Sequence, residues 1–330
     1  HGLRIFTVNN GNFSGNTINV TGSTSRGISS ITMDNGIFSF NTVTTSGTTG
    51  KGFHFSTGSD NNNLTSNVIT TTNNSSEALF LSGGTFNQVT SNVLTTNEND
   101  SEGIDLITEN SSVILYNNIT TSGTESDGIK IYDNSYSHNI SGNMVITTNT
   151  SSIGLKINNM SNNITVNSNT FNIPLSNDIQ VDDSLSLTFL DQVINNYTLT
   201  GVGLIIKDSS FGEIRFLNTS ITQNGDERNF SDDIQINNNS IFVNSSELGL
   251  NQSANITFYG LSYSVQPILL KDGVSCSNDA SCNITSYNSS TGTLLASVGG
   301  FSTYNTTADS DQDGIEDGGD TLLGNITDVV

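Results

Sequence analysis

The sharpest chemical pattern lies near the C-terminus. Asp309, Asp311 and Asp313 alternate, Gly314 follows, and Asp317 and Asp320 come at steps of three or more. Calcium takes six to eight hard oxygen ligands, and alternating carboxylates around a glycine turn can wrap one ion. The backbone carbonyl of Ile315 would supply a further oxygen. Without calcium the seven acids among residues 309–330 repel one another. The expectation is a calcium loop in an acidic segment spanning 308–330.

A second set of reactive types is spaced by about 25 residues. Asp105, Lys130 and Lys156 each follow an apolar residue in the related tetrads Gly103-Ile104-Asp105-Leu106, Gly128-Ile129-Lys130-Ile131 and Gly154-Leu155-Lys156-Ile157. If each tetrad is a strand, alternate residues share a face, and the three side chains form one outward column with Tyr132 and Asp182 beside it. A carboxylate beside a base is what sugar-cleaving chemistry needs. The column lacks an arginine and has few aromatic platforms. The simpler expectation is therefore an exposed Asp105–Lys130 cross-strand pair, worth under about 1 kcal/mol. Asp105, Lys130, Tyr132 and Lys156 are then a sugar-binding patch at most, and the chain is expected not to be an enzyme.

The elements that place these residues are visible as a repeat. A small or acidic residue followed by alternating apolar positions recurs at Leu3, Ile28, Phe53, Leu79, Ile104, Ile129, Leu155, Ile179 and Leu204, with steps of 25, 25, 26, 25, 25, 26, 24 and 25. A second marker of the same period runs through Asn16, Asn41, Asn67, Asn92, Asn118, Asn143 and Asn169, reappears at Asn218, and is missing near Gln192. Fixed-period self-similarity of this length marks a stacked-coil architecture. Alternation at period two makes short strands with one face inward. Asparagine tolerates the left-handed backbone of tight corners, and stacked asparagines can hydrogen-bond from coil to coil. The expected fold is all-β: a right-handed parallel β-helix of about nine or ten coils over 1–247, the last a degenerate coil at Asp233-Ile234-Gln235-Ile236. The repeat resembles the right-handed parallel β-helix proteins, a superfamily that includes pectate-lyase-like enzymes, carbohydrate-binding proteins and surface proteins. That resemblance implies a fold and leaves the activity open.

From residue 248 the period disappears. Ala254–Tyr259, Pro267–Leu270, Cys282–Tyr287 and Leu294–Val298 read as strands of a small β-sandwich-like module over 248–307. This module is similar to those that follow β-helices in archaeal surface proteins. The Asp309–Asp320 pattern resembles thrombospondin type 3 repeats. It also satisfies the first half of an EF-hand loop, but carries Asp320 where that loop has a glutamate. Such loops link surface domains, so the chain is expected to be processed or part of a longer protein.

Composition narrows the function. The 330 residues carry 9 Lys plus Arg against 31 Asp plus Glu, a formal charge of −22. Nucleic-acid binding rests on cations that neutralise phosphates, and so is excluded as an expectation. No apolar run approaches the roughly 18 residues of a membrane span. Two cysteines, Cys276 and Cys282, are read as a local disulfide, which implies an oxidising, extracellular setting. There are 23 Asn-x-Ser/Thr sequons, where 48 asparagines in this composition predict about 13. N-glycans are therefore expected, with acceptors including Asn12, Asn19, Asn63, Asn118, Asn139, Asn163, Asn196, Asn218, Asn255, Asn283 and Asn305. The function expected first is an extracellular, glycosylated structural subunit that assembles head to tail with copies of itself into a filament, sheath or surface layer. The alternative is an adhesin for extracellular polysaccharide, with a polysaccharide lyase behind it.

Overall fold

The first strand of each coil puts its first and third residues into the interior and its second outward. Ile104 and Leu106 are fully buried, as are Ile129 and Ile131. The computed structural model describes residues 1–309 except 57, 185, 218–220, 225–229 and 248; side chains at 221–224, 230, 231 and 278 also fall outside the description. By compactness the chain divides into one unit of His1–Val202 with Asn224–Phe230 and a second of Gly203–Gln223 with Ser231–Val330.

The first unit is a right-handed parallel β-solenoid. Among the described residues seven coils carry all three strands, from Leu3–Phe6, Asn12–Ser14 and Thr17–Val20 to Leu155–Ile157, Ile164–Asn167 and Thr170–Asn172. Equivalent strands stack in register as three parallel sheets: Ile104 pairs with Ile129, Val113 with Asn139, and Asn118 with Met144. The core is the column of inward residues from all three sheets, including Phe38, Leu64, Val89 and Ile114 of the second and Val43, Ile69, Leu94 and Ile119 of the third. The small residue that opens each coil has a steric cause. A Cβ on Gly103 would lie 2.2 Å from Ile119 Cγ2 and 2.6 Å from the Gly128 carbonyl oxygen.

The asparagine marker is a buried ladder along the corner between the second and third sheets. The backbone N–H of Asn67 donates to Asn92 Oδ1 at 2.9 Å, that of Asn92 to Asn117 Oδ1 at 2.9 Å, and that of Asn117 to Asn143 Oδ1 at 2.9 Å. Each side-chain Nδ2 then donates to a carbonyl of the coil before, as Asn117 Nδ2 does to Val89 at 2.9 Å. Two details differ from the sequence reading. The rung is Asn117, and its neighbour Asn118 is an exposed strand residue. The left-handed residue of the corner is the one before each rung: Phe40, Ser66, Ser91 and Tyr116 have φ of 55°, 56°, 57° and 54°. The asparagine is there to satisfy the N–H groups that a turning corner leaves without strand partners. A serine ladder, Ser76–Ser101–Ser126–Ser152, does the same where the third sheet turns into the next coil.

The coil count is lower than the nine or ten expected. After Leu155–Ile157 the first sheet continues with Ile179–Asp182 and then Tyr197–Val202, and Ile179 pairs with Tyr197 after a step of only 18 residues. The shortened coil contains Leu187–Leu190 but no third-sheet strand among the described residues. The tetrad at Gly203 has the local pattern of a coil start, yet Leu204–Asp208 pairs antiparallel with Gly212–Phe216. Ile234–Asn237, read as a degenerate coil, forms an antiparallel hairpin with Ser240–Val243. Alternation alone cannot tell a parallel strand from an antiparallel one, because both have period two.

The second unit is two antiparallel sheets. One runs Leu204–Asp208, Gly212–Phe216, Ala254–Phe258, Thr293–Val298, Cys282–Asn288; the other runs Ile234–Asn237, Ser240–Val243, Thr303–Thr307, Ile268–Lys271, Val274–Ser275. Ile214, Ile256, Phe258, Ile241 and Tyr304 are buried between them, and Phe301 lies 5.4 Å from the Phe216 ring and 6.3 Å from that of Tyr304. Cys276 and Cys282 form a disulfide with a Cα–Cα distance of 5.7 Å.

Candidate functional site

The outward column of the first sheet reads Arg4, Ser29, His54, Phe80, Asp105, Lys130, Lys156 and Gln180, each paired in register with the next. Asp105, Lys130 and Lys156 are therefore brought together as the repeat requires, with His54 two coils from Asp105. They do not form the exposed pair expected of them. Asp105 is 3% exposed, and the partner of Lys130 is Glu102, at 2.8 Å.

A parallel column borders this face. Arg26, Lys51, Glu77, Glu102 and Asp127 occupy the position two residues before the first strand residue of their coils. Lys51 is ion-paired with Glu77, and Lys156 Nζ lies 3.8 Å from Asp127 Oδ2. Carboxylate oxygens of Glu77, Glu102 and Asp105 lie within 4.8 Å of one another. The sequence carries this signal, since Lys51, Glu77, Glu102 and Asp127 recur at the coil period. The tetrad pattern begins one residue too late to include most of them.

Burial dominates the electrostatics. It pushes the Asp105 carboxyl well above its ordinary range, and the neighbouring Glu102 charge adds to this against Lys130. Burial raises Glu77 as well, against the opposing charge of Lys51. Asp127 is pushed up to about 6 by burial, against a backbone hydrogen bond from Ile153 and the Lys156 charge. His54 is lowered to about 3 by burial, then by Arg26 and Lys51. Its ring is stacked on Phe80 at 5.0 Å, and Lys51 Nζ lies 4.0 Å from the centre of the Phe80 ring. Tyr132 Oη donates to Asp105 Oδ2 at 3.5 Å, and Asp105 Oδ1 is buried without a hydrogen-bond partner. Lys51 and Lys130 thus pair with Glu77 and Glu102 beside the buried Asp105 carboxyl.

Beside this cluster a groove of about 470 Å³ opens, with Asp127, Lys130, Lys156, Gln180, Asp100 and Glu125 in its wall. Tyr132, half-exposed, stands 5.1 Å from Lys130 Nζ. The groove offers ammonium, amide and serine hydroxyl donors and carboxylate acceptors. Those groups suit a polyhydroxylated ligand.

The other expected sites fall as follows. Asn12, Asn19, Asn118, Asn139, Asn163 and Asn283 are exposed, and Asn63, Asn196, Asn255 and Asn305 are partly exposed; Asn218 lies outside the described residues. Of the calcium-loop residues Asp309 is described and buried, while Asp311, Asp313, Ile315, Asp317 and Asp320 lie outside the described residues.

No protein-family model matches the chain, and no curated protein matches it. Among solved structures it is similar to the tailspike protein gp49 from Pseudomonas phage LKA1, with a TM-score of 0.21 at 10% identity over 91% of this chain. The chain spans 66% of the length of that tailspike. A score this low carries no functional argument.

Proposed function

We propose that the chain is an extracellular surface protein whose solenoid holds polysaccharide against the outer face of its first sheet. The observation that carries this is the groove beside Lys130 and Lys156, lined by paired charges and amide groups. Sugar hydroxyls can exchange hydrogen bonds with such groups without stranding a buried charge. The Cys276–Cys282 disulfide supports an oxidising, extracellular setting.

At the Glu102–Asp105 pair burial favours binding over cleavage. Glu102 and Asp105 are each 3% exposed, so a glycosidic oxygen does not reach them without displacing their cover. The sequence favours a self-assembling subunit ahead of a polysaccharide binder; the groove supports placing the binder first.

The test is a glycan array followed by titration calorimetry. The unaltered protein is expected to bind at least one polysaccharide class. The double variant Lys130→Ala with Lys156→Ala is expected to stay folded by circular dichroism, to lose thermal stability because Glu102 and Asp127 are left buried without their partners, and to bind the polysaccharide at least tenfold more weakly at a temperature where it is fully folded. Binding that survives in the double variant would move the site elsewhere, and an unaltered protein that binds no glycan would end the proposal.

A further inference from the structure

In the seven full coils the charged residues are confined to one side. The second strand, the following corner and the third strand of the seven coils occupy residues 12–20, 37–45, 63–71, 88–96, 113–121, 139–147 and 164–172. None of these contains Asp, Glu, Lys, Arg or His. In a chain of charge −22 this is a continuous neutral flank. It carries exposed apolar side chains: Ile37 at 44%, Phe40 at 69%, Val68 at 44%, Val93 at 43%, Tyr116 at 65% and Met144 at 47%. Apolar groups gathered on one face of a monomer normally mark something that covers them.

The sequons on this flank are placed in relation to those side chains. One outward column of the second sheet reads Asn12, Ile37, Asn63, Gln88, Val113, Asn139. One outward column of the third sheet holds Asn118 between Val93 and Met144. Strand alternation turns the asparagine and the hydroxyl two residues later to the same side, with a core residue between them. At Asn12 the Ser14 hydroxyl donates to Asn12 Oδ1 at 2.5 Å, and at Asn63 the Thr65 hydroxyl donates to Asn63 Oδ1. The ladder asparagines cannot be sequons, because the residue two positions on is an inward apolar one, as at Asn67-Val68-Ile69 and Asn92-Val93-Leu94. Buried structural asparagines and acceptor asparagines are therefore two separate populations.

We infer that the cover of this flank is N-linked glycan, attached at Asn12, Asn19, Asn63, Asn118 and Asn139, which leaves the first sheet bare for its ligand. This rests on the extracellular location proposed above. The co-reactant is a polyprenyl-diphosphate-linked oligosaccharide. Asn Nδ2 bonds to its anomeric carbon, the carbon–oxygen bond to the diphosphate breaks, the amide gives up one proton, and the lipid diphosphate leaves. The apolar faces of the first sugars lie over Ile37, Val93, Tyr116 and Met144.

The experiment is peptide mass mapping of the protein taken from the surface of the cells that make it. Sugar mass is expected on the Asn63, Asn118 and Asn139 peptides and not on those of Asn67 and Asn92. Thr65→Ala is expected to leave Asn63 bare, and Thr65→Ser to restore its glycan. Surface-exposed protein with all five acceptors bare overturns the glycan inference and leaves the surface location standing; bare protein found only inside the cell overturns both. Replacing all five by glutamine is expected to turn a monomer into a self-associating species in sedimentation, and this is expected to reverse with Phe40→Ser and Tyr116→Ser. A glutamine variant that stays monomeric overturns the covering role.

Discussion

Gln192 Oε1 accepts the backbone N–H of Asn169 at 2.7 Å, in the place where the preceding coils use an asparagine. The step to the next rung has shortened to 23 residues, and a side chain one methylene longer bridges the difference. Gln192 Nε2 also donates to the Asn169 carbonyl at 2.8 Å. The ladder thus ends on a residue fitted to the coil that loses its third strand.

The ladder makes a prediction that separates two adjacent asparagines. Asn117→Ala removes the acceptor for the N–H and Nδ2 of Asn92 and the donor to Val89. Leaving such buried groups unpaired is expected to cost about 3 kcal/mol in urea unfolding. Asn118→Ala, on the exposed side of its strand, is expected to change stability by less than about 0.5 kcal/mol. Equal costs at the two positions would reject the assignment of the rung.

A pH dependence follows from His138. Its Nδ1 accepts the Ser112 N–H at 3.3 Å and its Nε2 donates to the Glu109 carbonyl at 3.0 Å, the contacts that Asn62 and Asn87 make in their own coils. Burial lowers its pKa to about 4. A group held neutral in the fold stabilises it fully above the unfolded pKa of 6.5. That contribution is lost as pH falls through 6.5 to about 4, amounting to about 3 kcal/mol. The buried Glu109 carboxyl is raised by burial, against hydrogen bonds from Asn87, Ser112 and Gly84, and so contributes the opposite slope. His138→Asn retains the ladder contacts and isolates the histidine. Its urea midpoint is expected to fall less than that of the unaltered protein between pH 6.5 and 4; parallel curves would refute the account.

For the acidic C-terminal segment the proposal remains a bound calcium ion. Calorimetry on the full chain is expected to show one site that is weakened at least tenfold in Asp311→Asn with Asp313→Asn, since carboxylate charge sets calcium affinity. No heat of binding in the unaltered protein would remove the site.

Removing the disulfide tests a smaller term. The bridge spans a sequence separation of 6, and so short a loop constrains the unfolded chain by about 2 kcal/mol in the chain-entropy model. Cys276→Ser with Cys282→Ser is expected to lower stability by that amount, read from the urea midpoint of the second unit's transition. An unchanged midpoint would show that the packing around the two buried cysteines holds the loop by itself.

Much of this was legible in the residues. The period and the inward positions could be read because every coil must bury the same positions against its neighbours, as Ile104 and Ile129 do. The end of the solenoid could not, because the Gly203 tetrad meets the same local rule while pairing antiparallel. At the first sheet the sequence located Asp105, Lys130 and Lys156 but not their burial or partners. Glu77, Glu102 and Asp127 supply those from the preceding corner, whose alignment depends on coil geometry rather than on alternation. The Asn117–Asn118 ambiguity has the same origin: two identical residues in succession give no signal of which one turns inward.

The strands of the seven full coils are joined to one another at steps of 25 or 26 residues, as Ile104 is to Leu79 and to Ile129. Each coil therefore closes a loop of constant length onto a template already formed, and the cost of adding one does not grow with those in place. Any adjacent pair of coils can serve as a nucleus, with the rest added as growth from its ends. Such a chain can lengthen or shorten by whole coils without a new core having to be devised, so the span of its first sheet is set by the number of coils rather than by repacking.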